Sequence, residues 1–345
     1  MARIALDAMG GDFAPQAPAA AALLALAELG SDHSVQLVGR AAVVEQTLET
    51  LITGELASLA EHRSRITIVD APDVIEMSDK PLSALRAKPN NSMSVGLKLQ
   101  VDGLSDAFVS AGNTGAQMAA STLSLKLHPG LTRPAIATMF PTAQQPVVVL
   151  DSGANVDCSA RELLQFAWLG GVYAECLLGR TNPVIGLLNI GEESEKGNAV
   201  TKEANAMFAK AGFNFHGNVE GRDLPAGGTD RGPLDVVVCD GFVGNVLLKF
   251  YEAVMPAIVS MLKQSPGVDA ASLTQALTRL DYSEHGGAPL LGVRGVSIIS
   301  HGKSSPRALK NAIKVAVRAI DSRMDALMGE RLARAAEQTH EDEAA

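Results

Sequence analysis

The sequence predicts an α/β protein of three αβα layers, with a mostly parallel, doubly wound sheet between its helices. Two observations carry this. Five aliphatic runs each break into a small polar loop that opens a helix: Ile4 to Asp12, Phe108 to Gly115, Val147 to Asn155, Val184 to Glu193 and Val236 to Asn245. None of the runs alternates apolar with polar residues, which is how strands buried on both faces read. A chain of 345 residues that is 47% hydrophobic also has the apolar material for a large core.

Taken in order, the first loop is followed by an Ala- and Leu-rich helix from Ala14 to Leu29 that starts around Pro15. Val35 to Val38 returns as a strand. Ala41 to Leu59 reads as one helix weakened in its middle by Gly54, and Ile66 to Val69 as a short strand ending at Asp70. Ser78 to Ser94, with two prolines, an Asn pair, Lys80, Arg86 and Lys88, reads either as a mobile or functional surface segment or as a solvated loop with a short helix. From Asn311 to Arg334 the residues Ile313, Val317, Ile320, Met324, Leu327 and Met328 recur at helical spacing, giving one amphipathic closing helix. Without a repeat or a linker, residues 1–335 are expected to form a single catalytic domain and 336–345 a frayed, disordered tail.

Val246 to Lys263 is too apolar for an ordinary surface helix, its charges being Lys249, Glu252 and Lys263. It reads as core or subunit packing, or as an apolar helical protrusion bent at Pro256 that meets lipid through Leu248, Tyr251, Met255 and Ile258.

Composition excludes several function classes. Three cysteines without CxxC spacing, Cys158, Cys176 and Cys239, argue against a disulfide framework and a structural zinc site, and favour a reducing cytoplasm. The opening residues lack a signal-peptide pattern, and no apolar window reaches about 18 residues, so a membrane span is not expected. A net charge of −9 argues against nucleic-acid binding. A GxGxxG loop, a complete Walker A motif, a GxSxG elbow and an HExxH pair are all lacking, so neither a cofactor nor a metal is expected.

What remains is a set of glycine-flanked amides and small polar side chains beyond the strand ends, where α/β sheets bind ligands and helix N-termini favour anions. The candidates for holding phosphate or substrate are Gly10, Gly11, Asp12, Ser110, Gly112, Asn113, Thr114, Asn155, Asn245 and His301. For any one loop, turn formation alone is an adequate alternative. Lys196, followed by Gly197 and Asn198, either holds a phosphate or polarises a carbonyl, or else pairs with Glu192 or Glu193. Asp7 and Asp240 can serve as base or orienting group, or simply cap helices. Cys239 reads as a buried strand thiol.

These residues together form a specific ordered set: Asp7-Ala8-Met9-Gly10-Gly11-Asp12, Ser110-Ala111-Gly112-Asn113-Thr114-Gly115, Gly153-Ala154-Asn155-Val156-Asp157, Lys196-Gly197-Asn198, Asp240-Gly241-Phe242-Val243-Gly244-Asn245 and His301-Gly302. The set, spread over residues 1 to 330, resembles the bacterial phosphate acyltransferase family of phospholipid synthesis, the PlsX family. The resemblance implies a fold like that of isocitrate and isopropylmalate dehydrogenases. It also implies reversible transfer of a long-chain fatty acyl group from acyl carrier protein to inorganic phosphate, giving acyl phosphate. It further implies a homodimer in the cytoplasm, attached peripherally to the membrane through the stretch after Asn245. Two places depart from the pattern: the segment around Arg86 and Lys88 is less basic than in the family, and Lys303 stands where Ser is common.

The chemistry fits these residue types. Phosphate is already an anionic nucleophile and a thioester has a good leaving group, so positioning and oxyanion stabilisation suffice without a nucleophilic triad. Direct displacement is therefore expected: Ser110, Asn113, Thr114 and the amides near Gly10 and Gly112 hold phosphate, Lys196 and Asn198 stabilise the thioester oxygen, and Asp7 or Asp240 orients them. A nicotinamide-dependent dehydrogenase or a phosphometabolite sensor are the competing readings.

Overall fold

The computed structural model describes residues 1–263 and 286–344. The chain divides into two compact units, one formed by residues 1–128 with 285–326 and the other by 129–284 with 327–345. Every strand-loop-helix passage lies wholly within one unit or the other.

In the first unit β1 (Arg3–Asp7), α1 (Gln16–Glu28), β2 (Ser34–Gly39), α2 (Ala41–Thr53), β3 (Ile66–Asp70), α3 (Pro81–Ala87), α4 (Ser92–Val101), β4 (Ala107–Ser110) and α5 (Thr114–Leu125) follow one another. After residue 285 come β13 (Ala288–Leu291), β14 (Val296–Ile299) and α10 (Pro306–Asp321). The strands lie in the order β3-β2-β1-β4-β14-β13. All pairings among them are parallel except β13 with β14. Central β1 and β4 are fully buried along Ile4–Leu6 and Ala107–Val109, as their unbroken apolar character requires. Helix α1 brings a run of alanines against α10, whose Ala312, Ile313 and Ala316 are fully buried. At its end Glu28 accepts from Lys310 and Lys314, each at 2.6 Å.

The second unit repeats the grammar. It contains β5 (Ala135–Ile136), β6 (Thr138–Phe140), β7 (Val147–Leu150), α6 (Ala160–Leu178), β8 (Ile185–Leu188), α7 (Ala199–Phe208) and β9 (Phe215–Val219). Then follow α8 (Asp223–Ala226), the small ribbon β10 (Gly228–Thr229) and β11 (Gly232–Pro233), β12 (Val236–Val238) and α9 (Gly241–Lys263). Its five-stranded sheet runs β6-β7-β12-β8-β9, parallel except at edge strand β6.

All five predicted passages are strand, loop and helix, and the fold is α/β with parallel-dominated sheets. Three local expectations are corrected. Gly54 ends α2 instead of interrupting it, and Ala57–Arg65 continues as a 3-10 segment. The closing helix is two: α10 stops at Ser322, with Arg323 at φ 55, and α11 (Met324–Ala344) runs through the stretch expected to be a frayed tail.

The third correction concerns the faces of α9. Leu248 and Tyr251, expected on a lipid-facing stripe, are half-buried against the core of Phe140, Val149, Val237 and Cys239. The Tyr251 hydroxyl also donates to the Pro141 carbonyl at 2.7 Å, which fixes the ring inward. Ile258 is exposed as expected, and with it, among the described residues of α9, are Phe242, Val243, Val246, Phe250 and Met261. The side chains of Met255 and Pro256 lie outside the described residues. Among the described residues no helix is long and apolar enough to cross a membrane.

Candidate active site

The candidate residues gather in two clusters, one in each unit. In the first unit the loops after β1, β4 and β14 meet. Asp12 N donates to the Gly302 carbonyl at 2.7 Å, and a Cβ at Gly10 would fall 2.8 Å from Gly112 N. Glycine is required at position 10 because that Cβ would also sit 2.5 Å from the Asp7 carboxylate.

Asp7, 1% exposed, is the hub of this cluster. Its carboxylate accepts from Ser110 Oγ at 2.7 Å and from Met9 N at 3.0 Å, and Ser110 Oγ accepts in turn from Gly112 N at 3.0 Å. Burial pushes Asp7 up from the ordinary carboxylate value, while the donors around it, Ser92 and Ser110 foremost, pull the other way. Asn113 caps α5: its Oδ1 accepts from Ala116 N, and its Nδ2 donates to the carbonyls of Met77 and Asp79 at 3.0 and 3.1 Å. That bond and the Lys88–Asp79 ion pair at 2.6 Å tie down the segment from Ser78 to Ser94. Ser110 and Asn113 are thus engaged in holding loops, whereas Thr114, in the first turn of α5, is exposed. His301 is exposed, its Nδ1 accepting from Lys303 N at 3.1 Å.

In the second unit the loops after β7, β8 and β12 assemble. Asp151, fully buried, is the hub. Its Oδ1 accepts from the amides of Ile136, Gly153 and Ala154 at 3.0–3.2 Å, and its Oδ2 from Asn155 N at 2.6 Å and Asn155 Nδ2 at 2.8 Å. Desolvation pushes this carboxyl up as well, against the pull of those donors. Asn155 Nδ2 also donates to the Pro134 carbonyl, and the Asn155 carbonyl accepts from Gly241 N at 2.8 Å, joining the β7 and β12 loops. Asn155 is therefore a brace. The role of Asp151 is not legible from its neighbours in sequence, since a strand-end Asp more often caps a helix.

Asp240 Oδ1 accepts from Val243 N at 2.8 Å, capping α9, and Asn198 Oδ1 accepts from Thr201 N at 2.9 Å, capping α7. Both also line a cavity of ≈ 650 Å³, together with Asn189, Gly197 and Thr201. Asn189, which sequence reasoning leaves outside the candidate set, donates through Nδ2 to the Lys196 carbonyl at 3.1 Å. Lys196 is exposed. Glu192 pairs with Arg222 at 3.5 Å, and among the described residues no carboxylate lies within 4.0 Å of the Lys196 ammonium. The alternative of a lysine neutralised by its acidic neighbours is not what the structure contains. Asn245 stands in the first turns of α9, next to Gly153.

The two thiols at the cavity are poor nucleophiles. Burial, then the charge of Asp151, pushes Cys158 up to about 12, and burial pushes Cys239 well above the usual thiol range. Among the described residues no group of three His, Cys, Asp or Glu side chains could hold a metal ion.

The family described as "Fatty acid synthesis protein" matches residues 2–326. A phosphate acyltransferase of Desulforamulus reducens is 47% identical over 330 residues, covering 93% of this chain and 94% of the relative. One from Heliobacterium modesticaldum is 46% identical over 340 residues, covering 96% and 97%. Among solved structures, a phosphotransacetylase from Streptococcus pyogenes superposes with a TM-score of 0.61 at 18% identity, covering 93% of this chain and 94% of that one. The EutD phosphotransacetylase from Staphylococcus aureus superposes at 0.58 with 15% identity, covering 92% and 93%. The structural likenesses establish a shared fold.

Proposed function

The chain belongs to the phosphate acyltransferase family, an acyltransferase that moves an acyl group to phosphate in lipid synthesis, and from that premise we propose that its donor is acyl carrier protein and its acyl group a long fatty chain. The single observation that supports a fatty donor is the ≈ 650 Å³ cavity, which opens beside Asn189, Asn198 and Asp240 yet is floored by leucines.

In this reading phosphate is seated by the loops after β1, β4 and β14. The Thr114 hydroxyl and the first-turn amides of α5 supply donors at the start of that helix, where its dipole favours an anion, and the amides around Gly10 and Gly112 hold the loops in place beside it. Asp7, Ser110 and Asn113 shape those loops and do not grip the ion themselves. Lys196 and Asn198 stabilise negative charge on the thioester oxygen, a task for which an unpaired lysine on a turn is suited. Asp240 orients the rim. Phosphate attacks the thioester carbon, the C–S bond breaks, and the carrier thiolate leaves to take up a proton, with no acyl-enzyme between.

The apolar side chains of Phe242, Val246, Phe250 and Met261 suit either the partner of a homodimer or a peripheral contact with the inner face of the cell membrane. The test is phosphate-dependent release of free thiol from acyl carrier protein loaded with several chain lengths. Thiol release that ignores phosphate would overturn the reading. So would a covalent acylated protein trapped by rapid quench in the absence of phosphate, for the direct-displacement step.

A further inference from the structure

The cavity of the second unit has two kinds of wall. At its mouth stand Asn189, Asn198 and Asp240, beside the turn that carries Lys196. Its inner wall is made by Leu163, Leu187, Leu188, Val200, Cys239 and Leu247. Leu163, Leu187 and Cys239 are 5% exposed or less, so the floor is the hydrophobic core itself. The lip is apolar as well: Ile190, 81% exposed, and Val243 both line the opening. Ile190 and Val243 carry the apolar floor outward to the lip, so an apolar visitor would meet a continuous apolar surface from entrance to floor.

We propose that this cavity receives the acyl chain of the donor, including methylenes that a short chain lacks, and that Val200 on α7 and Leu188 and Leu247 on its wall set which chains are accepted. The inference rests on the reading of the protein as a long-chain acyltransferase.

Two arguments select the acyl chain over the other arm of the donor, the amide-bearing pantetheine. The inner wall is apolar, the other polar lining groups being Asp157, which is exposed, and Thr201, whose hydroxyl is spent on Asn198. An arm with two amides would therefore leave them unpaired deep in the cavity, whereas methylenes need nothing but contact. The volume falls within the range of about 300–1,000 Å³ usual for small-ligand pockets. Both thiols remain protonated at neutral pH, so the wall carries no charge to repel an alkyl chain. The carboxylate of Asp240 at the mouth disfavours a free fatty acid anion and leaves a neutral thioester unopposed.

Val200 is half-buried in the first turn of α7, where a larger side chain can enter the cavity without displacing the core. For Val200→Phe the ratio of kcat/KM for hexadecanoyl over octanoyl carrier protein should fall about tenfold or more, the loss expected when two buried methylenes return to water. Leu188→Ala should move the ratio the opposite way. A ratio unchanged in both variants overturns the proposal. Because Val200→Phe could fail to fold, the wild-type enzyme is also labelled with a hexadecanoyl phosphate bearing a mid-chain diazirine, the acyl phosphate being the product whatever the donor. Adducts on Leu163, residues 187–190 or Leu247 support the site, and adducts confined to other peptides overturn it. Absence of phosphate-dependent thiol release by the wild type would instead remove the carrier-protein reading, leaving the labelling result to decide the cavity.

Discussion

The two glycine-rich clusters use one design to different ends. Each hangs on a buried aspartate at the end of a parallel strand, Asp7 after β1 and Asp151 after β7, which gathers backbone amides of the loop that follows. In the first unit the loops close so tightly that a Cβ on Gly10 or Gly112 would strike a neighbour at 2.5 Å. In the second, the loops are braced to one side and leave a cavity, with a lysine near its mouth that has no carboxylate partner among the described residues. The comparison teaches that glycine after a strand does two jobs. It packs loops so that amides converge, and it spaces loops so that a chamber survives.

The comparison breaks most visibly at Lys196. If the second unit handles the thioester oxygen, Lys196→Ala lowers kcat by roughly 10²–10³-fold, as loss of an oxyanion donor does, with KM for phosphate little changed. A rise in phosphate KM with kcat intact, measured by thiol release, would assign the lysine to the anion instead.

Packing comes next. An added Cβ at Gly244 would overlap the Asp151 carbonyl oxygen, and at Gly10 would meet the Asp7 carboxylate. Gly244→Ala and Gly10→Ala should each cost about 1–3 kcal/mol or more in denaturant unfolding. Near-wild-type stability of either variant would show that its cluster is looser than described.

The hubs are the third test. Asp151→Asn places an amide donor among amide donors and should cost about 1–3 kcal/mol, with the loops from 151 to 158 losing protection in hydrogen exchange. Thr114→Ala has a smaller expected effect, raising the phosphate KM roughly tenfold through loss of one hydrogen bond to a charged group, with kcat preserved.

The smallest effect lies outside both clusters. Paired with Lys310 and Lys314, Glu28 is held down to about 2 from 4.5. A carboxylate depressed in the fold contributes stability that is complete above its unfolded value and lost as pH falls from 4.5 toward 2. At 42% exposure the pair is well screened, so Glu28→Gln should cost no more than about 1 kcal/mol at neutral pH. That deficit should shrink on acidification in thermal melts.

The sequence by itself determined the five strand-loop-helix passages, the parallel character of the sheets and the presence of Gly, Asn and Asp at the strand ends. These follow from periodicity and turn chemistry, which act over a few residues. Only the tertiary structure decided which polar groups are spent and which are free. Ser110 is taken by a carboxylate 103 positions away, Asn155 by a carbonyl 21 positions away, and Asn113 by carbonyls more than 30 away. The same holds for α9, whose apolar residues all look alike in sequence until a core turns Leu248 and Tyr251 inward and leaves Phe250 in water. A hydrogen-bond partner or a packing face is a property of chain segments brought together by folding, and no local pattern encodes it.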